Sequence, residues 1–368
     1  MIQTLIIGLI CVFLAYFSKN RNNKYSFECA FILLTCFLAI RYDWGNDYHD
    51  YLLIFKEIGS SGLNLFDWSS LKDYYSNGEF GWAFLNILFK PFGFFAMVAV
   101  LTIFEQFVIY KFIKKHVPIK WYWLALLLYI FGPSHMLIGL SMMRQYLAMT
   151  LYLIAIDFIY SKKFIPFILI ILLASTMHLS ALILLPTYFL RYLINIKINK
   201  KTLVTLTLLY VIWFFYAPSF FSNILSNILS LPLFHAYEYY VPAKLTGLEN
   251  IGLGFLFNNV VLITLLYKLS VQSAKIRLLF ILSIISFLIV PLQTIAPLVG
   301  RIGYYFGLLT IVCYPSLIQS IKNKYYKNGL LLGIILVNIK GFFDFFYSEI
   351  WYNDFLIYKT IFGAHHWM

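Results

Sequence analysis

Long apolar runs recur from one end of this chain to the other, with the charged residues gathered between them. Of its 368 residues, 62% are hydrophobic and only 12% are charged. So few charges cannot coat a soluble protein of this length, so the bilayer is the expected solvent. Backbone N–H and C=O groups in hydrocarbon must be satisfied within the chain, and runs of this length do that as helices. The expected architecture is all-α and polytopic. Spans are expected near 2–17, 25–40, 92–112, 121–140, 143–160, 164–175, 178–190, 203–217, 251–268, 276–296, 301–318 and 329–346. No soluble domain or long linker interrupts the series, so residues 1–368 read as a single integral membrane domain. The opening run lacks a positive n-region and a small-residue cleavage site. It therefore reads as a first span rather than a signal peptide.

The net charge of +13 would suit nucleic acid if it were spread over a surface. Here 19 of the 28 Lys and Arg fall into six clusters between apolar runs. These are Lys19/Arg21/Lys24, Lys111/Lys114/Lys115/Lys120, Lys162/Lys163, Arg191/Lys197/Lys200/Lys201, Lys268/Lys275/Arg277 and Lys322/Lys324/Lys327. That is the pattern of positive-inside loops, and it argues against a nucleic-acid partner. Placing all six inside requires about twelve crossings, with both termini outside. The stretch 164–190 is short for two full spans. A broken or re-entrant helix pair is expected there, with Ser175-Thr176-Met177-His178 near its tip. The outer side then receives the loops at about 41–91 and 218–250 and the tail after Tyr347. Seven acids lie in 41–79: Asp43, Asp47, Asp50, Glu57, Asp67, Asp73 and Glu79. Arg144, His178, Glu238, Glu249 and Arg301 fall on the same side.

The polar residues near that side suggest chemistry. Arg41 closes the second run, as a snorkelling arginine does. Asp43, Asp47 and Asp50 would share a helix face. With His49 they could hold a divalent cation, but Asp47 is better read as pairing with an arginine or receiving a hydroxyl. Tyr48 and Tyr51 offer stacking faces. Arg144 and Arg301 lie near one membrane face, where guanidinium groups bind a diphosphate bidentately. The alternative for Arg144 is an ion pair with an outer-loop acid. Gly300 and Gly303 let something approach the backbone beside Arg301 closely. His178, at unwound backbone in a membrane, reads as a hydrogen-bond donor or a general base. Glu105 and Asp157 read as packing anchors, and Lys340 and Asp344 as an i,i+4 pair. His365-His366-Trp367 reads as a disordered or interfacial tail. Cys11, Cys29, Cys36 and Cys313 lie in apolar segments without metal-ligand spacing, so they read as core residues, and no metal site is assigned. There is no phosphate-binding Gly-rich loop, His-Glu-x-x-His or Gly-x-Ser-x-Gly motif, and no internal repeat.

In their order and spacing these landmarks resemble the EpsG family of bacterial Wzy-type polysaccharide polymerases. The resemblance rests on Arg41 with Gly45, Asp47, Tyr48 and Tyr51, then Glu79, Gly81 and Trp82, and then Arg144 with Gln145. His178, Ser180 and Ala181 follow, and then Arg301, Tyr304 and Tyr305. Asn46 stands where the family often has threonine. The resemblance implies a GT-C-like membrane glycosyltransferase that needs no cofactor. Its substrates would be undecaprenyl-diphosphate-linked oligosaccharides, joined at the outer face of the bacterial cytoplasmic membrane for capsule or exopolysaccharide. Membrane lipids and a chain-length regulator protein are the implied partners. Arg144, Arg301 and Arg41 would bind diphosphate, and Gln145, Tyr48, Tyr51, Tyr304 and Tyr305 would bind substrate. Asp47, His178 and Glu79 are the candidate bases. An O-antigen ligase and a flippase or transporter of the same glycan are the alternatives. The outward clustering of polar groups disfavours transport.

The topology is open to test by cysteine-accessibility labelling. Cysteines at Asp67 and Asn250 should react from outside, and cysteines at Lys115 and Lys200 should be protected. The reverse pattern would dissolve the shared outer face.

Overall fold

The computed structural model describes residues 1–20, 23, 25–60, 79–196, 198–229, 252–294 and 297–363. Arg21, Lys24, Asp67, Asp73, Lys197, Glu238, Glu249, Asn250 and His365-His366-Trp367 lie outside the described residues. The described chain is helical, with no strand among these residues. It forms two compact units, Met1–Tyr188 with Ile335–Met368, and Phe189–Ile334.

In the first unit, α1 (Ile2–Phe17), α2 (Ser26–Ala39), α3 (Tyr48–Ser60), α4 (Phe80–Phe89), α5 (Phe94–His116) and α6 (Tyr122–Phe131) follow one another. Then come α7 (Met143–Tyr160), α8 (Phe164–Met177) and α9 (Leu179–Asn195), the last a 3₁₀ helix that continues past the unit's edge at Tyr188. Helix α1 packs on α2 and α6, and α7 packs on α8. Gly8 permits the approach of α1 to α6, because a Cβ there would lie 2.8 Å from Ile130 and 2.9 Å from Phe131. The outward faces stay apolar. Along α8, Ile165, Leu169, Leu172 and Leu173 are all exposed at i, i+4, i+7 and i+8. A stripe of that kind suits lipid and is untenable in water.

The second unit contains α10 (Lys200–Leu229), α11 (Leu253–Lys268), α12 (Ala274–Ile289), α13 (Pro297–Gly307) and α14 (Thr310–Ser320). Helix α12 packs against α13 and α14. Arg277 ties the start of α12 to neighbouring backbone, donating to the carbonyls of Leu269, Ile194, Ser270 and Gln272. The division between the units falls within α15 (Lys324–Tyr347).

A helix lies at each of the twelve expected positions, but crossing length and composition are shown for fewer. Five described helices have both, and seven do if each of two bent pairs is one span. The expected continuous spans 121–140 and 301–318 are in fact bent, by 52° after Phe131 and by 50° after Gly307. The first bend has a clear cause. Pro133 has no N–H to give and cannot continue the helix from Gly132. Helix α7 carries Arg144, Gln145 and Asp157, and it falls outside the crossing set. The region expected as an outer loop at 41–91 instead contains α3 and α4, and α10 extends to Leu229, into the expected 218–250 loop. The broken pair expected at 164–190 is present as α8 and α9. Tyr188 returns beside Phe164 and Phe167, with ring centroids 4.7 and 5.3 Å apart.

Charged groups of the first unit sort to two ends of its helices. At one end Lys114 pairs with Glu28 and Lys115 with Asp157, each at 2.6 Å. Near the opposite ends of α2 and α7 lie Arg41 and Arg144. Asp157 thus anchors packing as expected, and Lys340 pairs with Asp344 at 2.5 Å.

The described stretch after α15 is tied back to the end of α2. Arg41 and Thr360 form an antiparallel bridge, Tyr42 N–H donates to Lys359 O at 3.0 Å, and Ile361 N–H donates to Ile40 O at 3.0 Å. The Trp44 indole donates to Phe355 O at 3.0 Å, and Lys359 pairs with Asp43 at 2.7 Å. This strap fixes the loop that leaves α2.

Candidate active site

The loop between α2 and α3 is shaped by two left-handed residues, Asp43 at φ 44° and Gly45 at φ 133°. A Cβ at Gly45 would lie 2.8 Å from the Leu140 carbonyl, so only glycine fits both the angle and the contact. Asn46 then meets Ser141, with its N–H donating to the hydroxyl at 3.2 Å and its side-chain carbonyl accepting from it. These contacts dock the loop on the segment that leads into α7. Helix α3 begins only at Tyr48, and Asp43 is held by Lys359. Asp43, Asp47 and Asp50 therefore do not share a helix face. Among the described residues no group of three or more His, Cys, Asp or Glu is placed to hold a metal ion.

The site centres on Glu79, which is buried at the start of α4. One carboxylate oxygen takes Arg144 Nη1 at 2.5 Å. The other takes His178 Nδ1 at 2.6 Å and the Leu179 N–H at 3.2 Å. Glu79 lies ahead of α4 and outside the crossing-length helices. Burial pushes its carboxyl upward. The His178 hydrogen bond, the Arg144 and His178 charges and the Leu179 N–H outweigh burial and hold it below its ordinary 4.5. An ionised carboxylate can only accept hydrogen bonds. His178 Nδ1 is thus the donor.

Local structure explains how His178 reaches that position. It is the residue between α8 and α9, with extended backbone at φ −152° and ψ 118°. The next N–H, at the start of α9, has no partner inside that helix, and Glu79 supplies one. Gly81 makes the approach of α4 to α8 possible. A Cβ there would overlap the Thr176 hydroxyl and lie 2.8 Å from Met177 Cε. The next residue, Trp82, is fully buried and packs against Tyr51 at 5.3 Å. Glu79, Gly81 and Trp82 thus do three separate jobs in four residues: pairing, close approach and anchoring.

The structure brings some expected site residues together and separates others. Arg144, with a side chain 31% exposed, forms the ion pair that was the alternative to a diphosphate clamp. Its guanidinium also lies over the Tyr51 ring, at 5.5 Å. Tyr51 and Tyr48 are buried, so the expected stacking faces are turned inward. Tyr48 meets Phe94 edge-on and donates to the Arg41 carbonyl at 3.3 Å. Arg41 does not snorkel. It is 3% exposed, donates to Leu38 O at 2.8 Å and Thr102 Oγ1 at 2.7 Å, and touches Met143 Sδ at 3.7 Å. Sealed in this way, Arg41 has no surface to offer a diphosphate. Gln145 is likewise buried. Asp47 is half-buried just ahead of α3, where it acts electrostatically on Tyr51.

In the second unit, α13 carries Arg301 and Tyr304, both partly exposed, and Tyr305, fully buried. The glycines beside Arg301 are approached by the protein itself. A Cβ at Gly300 or Gly303 would lie 3.2 or 3.4 Å from the Gln293 side chain.

Residues 24–360 match the model described as the EpsG family, nearly the whole chain, and the chain belongs to that family, which is associated with polysaccharide polymerases. No curated protein and no solved structure matches it.

Two measurements probe this cluster. Gly81→Ala should lower stability by about 1–3 kcal/mol, the usual cost of overpacking, read as a lower unfolding temperature. Adding Thr176→Ala, which removes the clashing hydroxyl, should recover part of it. The depressed Glu79 carboxyl also makes stability depend on pH. Its contribution is present above pH 4.5 and is lost as pH falls through the lower folded value. A pH series of thermal unfolding should lose that acid limb in Glu79→Gln; an unaltered limb would assign it to another carboxyl.

Proposed function

We propose that this EpsG family member is a membrane glycosyltransferase that polymerises oligosaccharide units carried on undecaprenyl diphosphate, at the outer face of a bacterial cytoplasmic membrane. The observation that carries the reading is Glu79 bound at once to His178 and Arg144. It joins a general base, the carboxylate that orients it and a cation for an anionic leaving group.

In the proposed reaction an acceptor hydroxyl oxygen forms a bond to the anomeric carbon of the donor. The bond from that carbon to the diphosphate oxygen breaks, and the electron pair leaves with the diphosphate. His178 Nε2 takes the hydroxyl proton. Glu79 fixes the tautomer in which Nε2 can accept, the role a carboxylate plays beside a catalytic histidine. The exposed part of Arg144 stabilises charge developing on the leaving diphosphate. Arg301, on the second unit, is proposed as a phosphate ligand from its chemistry and its family motif alone. Asp47 remains to bind the acceptor hydroxyl. The chain supplies these groups without a nucleotide.

The test is polymer length after incubating purified protein with a synthetic lipid-linked repeat unit. His178→Gln should slow chain growth by about 10²–10⁴-fold, the usual contribution of a general base, while the donor still binds. Arg144→Lys and Arg301→Lys should each lose most activity, because lysine keeps the charge but not the fork. Normal growth in His178→Gln would remove the base from the mechanism. Normal growth in both lysine variants would remove the clamp.

A further inference from the structure

The second unit has an unusual charge balance. Residues 189–334 contain twelve Lys and Arg but only two acids, Glu238 and Glu249. That surplus of ten is most of the chain's net charge of +13. Both acids lie outside the described residues, so no described carboxylate of this unit stands beside its cations. Exposed cations at a membrane surface require counter-ions. Where the protein provides none, anionic lipid does, at about 1 kcal/mol per Lys or Arg near the surface.

Two of these cations line one cavity of about 390 Å³. Lys268, at the end of α11, and Lys322, ahead of α15, line it together with Thr264, Tyr267, Asn323 and Tyr326. All of the lining polar side chains are cationic or neutral hydrogen-bonding groups. Lys268 Nζ stands 5.1 Å from the centre of the Tyr267 ring, and Lys322 is exposed. The Thr264 and Tyr326 hydroxyls are 2.5 Å apart, which fixes one wall. Asn323 accepts from the Tyr326 N–H at 3.0 Å, fixing the start of α15 at the rim. Both α11 and α15 are of crossing length, so a cavity at their ends sits at headgroup depth. Leu203 and Ile263 give it an apolar wall toward the hydrocarbon.

We infer that this cavity binds the phosphate of an anionic phospholipid headgroup. Two ammonium groups take the charge, the Asn323 amide donates to a remaining oxygen, and the apolar wall receives the glycerol and upper acyl chain. This site is independent of the Glu79 cluster.

The test uses the full chain in a neutral detergent. Native mass spectrometry counts retained lipid, and thermal unfolding reads its effect. Phosphatidylglycerol should be retained and should raise the unfolding temperature, whereas phosphatidylcholine should do neither. Lys268→Gln with Lys322→Gln should weaken phosphatidylglycerol binding by about 10- to 30-fold, the loss of two lysine–phosphate contacts. Lys322→Gln alone, at an exposed position, should give an intermediate loss. The charge-matched control, Lys200→Gln with Lys201→Gln, should keep full binding. Equal weakening in the control would mean diffuse attraction and would overturn the site. Equal stabilisation by inorganic phosphate would overturn the lipid assignment, as would unchanged binding in the double variant.

Discussion

A buried carboxylate is costly unless cations and N–H groups surround it, and the order of the first unit's polar end follows from that requirement at Glu79. Its two oxygens take a guanidinium, an imidazole and a backbone N–H. Those partners come from the start of α7, the break between α8 and α9, and the first turn of α9. Satisfying one side chain therefore fixes three segments relative to α4. Removing any partner leaves charge in a half-buried place, so the cluster behaves as a unit rather than as separable contacts.

Around it, Arg41, Gly45 and Asn46 make packing and docking contacts. Arg41 joins the end of α2 to Thr102 on α5 and Met143 at the head of α7, one residue before Arg144. Gly45 and Asn46 dock the same loop on Leu140 and Ser141, and the strap from Trp351 to Ile361 closes over it. The motif that begins at Arg41 thus builds the floor behind the site. The groups with exposed surface are Arg144 and His178, at 31% and 20%. The proposed reaction needs this division, because a reactive pair must be rigid on one side and open on the other.

The two units differ in how their charge is handled. The first pairs its lysines with acids, as Lys114 does with Glu28 and Lys115 with Asp157. The second has no described carboxylate of its own, and two of its lysines, Lys268 and Lys322, line one cavity. The first pattern holds helices to each other, and the second suits attachment to the surrounding lipid.

Composition and the spacing of apolar runs were enough to determine an all-helical membrane chain, because backbone groups in hydrocarbon admit few other solutions. They also pointed to a broken helix pair with Ser175-Thr176-Met177-His178 near its tip, because about 27 residues are tight for two full spans. The residues of the Glu79 cluster could be named from their order along the chain, but not ranked. Glu79 stood third among the candidate bases, and only folding set it between His178 and Arg144, which lie 99 and 65 positions away. Arg41 and Tyr48 looked like ligands because an arginine or tyrosine at a helix end carries the same letter whether it is open or sealed. The pairing of Arg41 with Thr360 had no local signal at all, being a backbone bridge between segments 319 residues apart. Sequence sets what each side chain can bond to. Which atoms come within 3 Å is a property of packing between distant segments, and that was decided only in three dimensions.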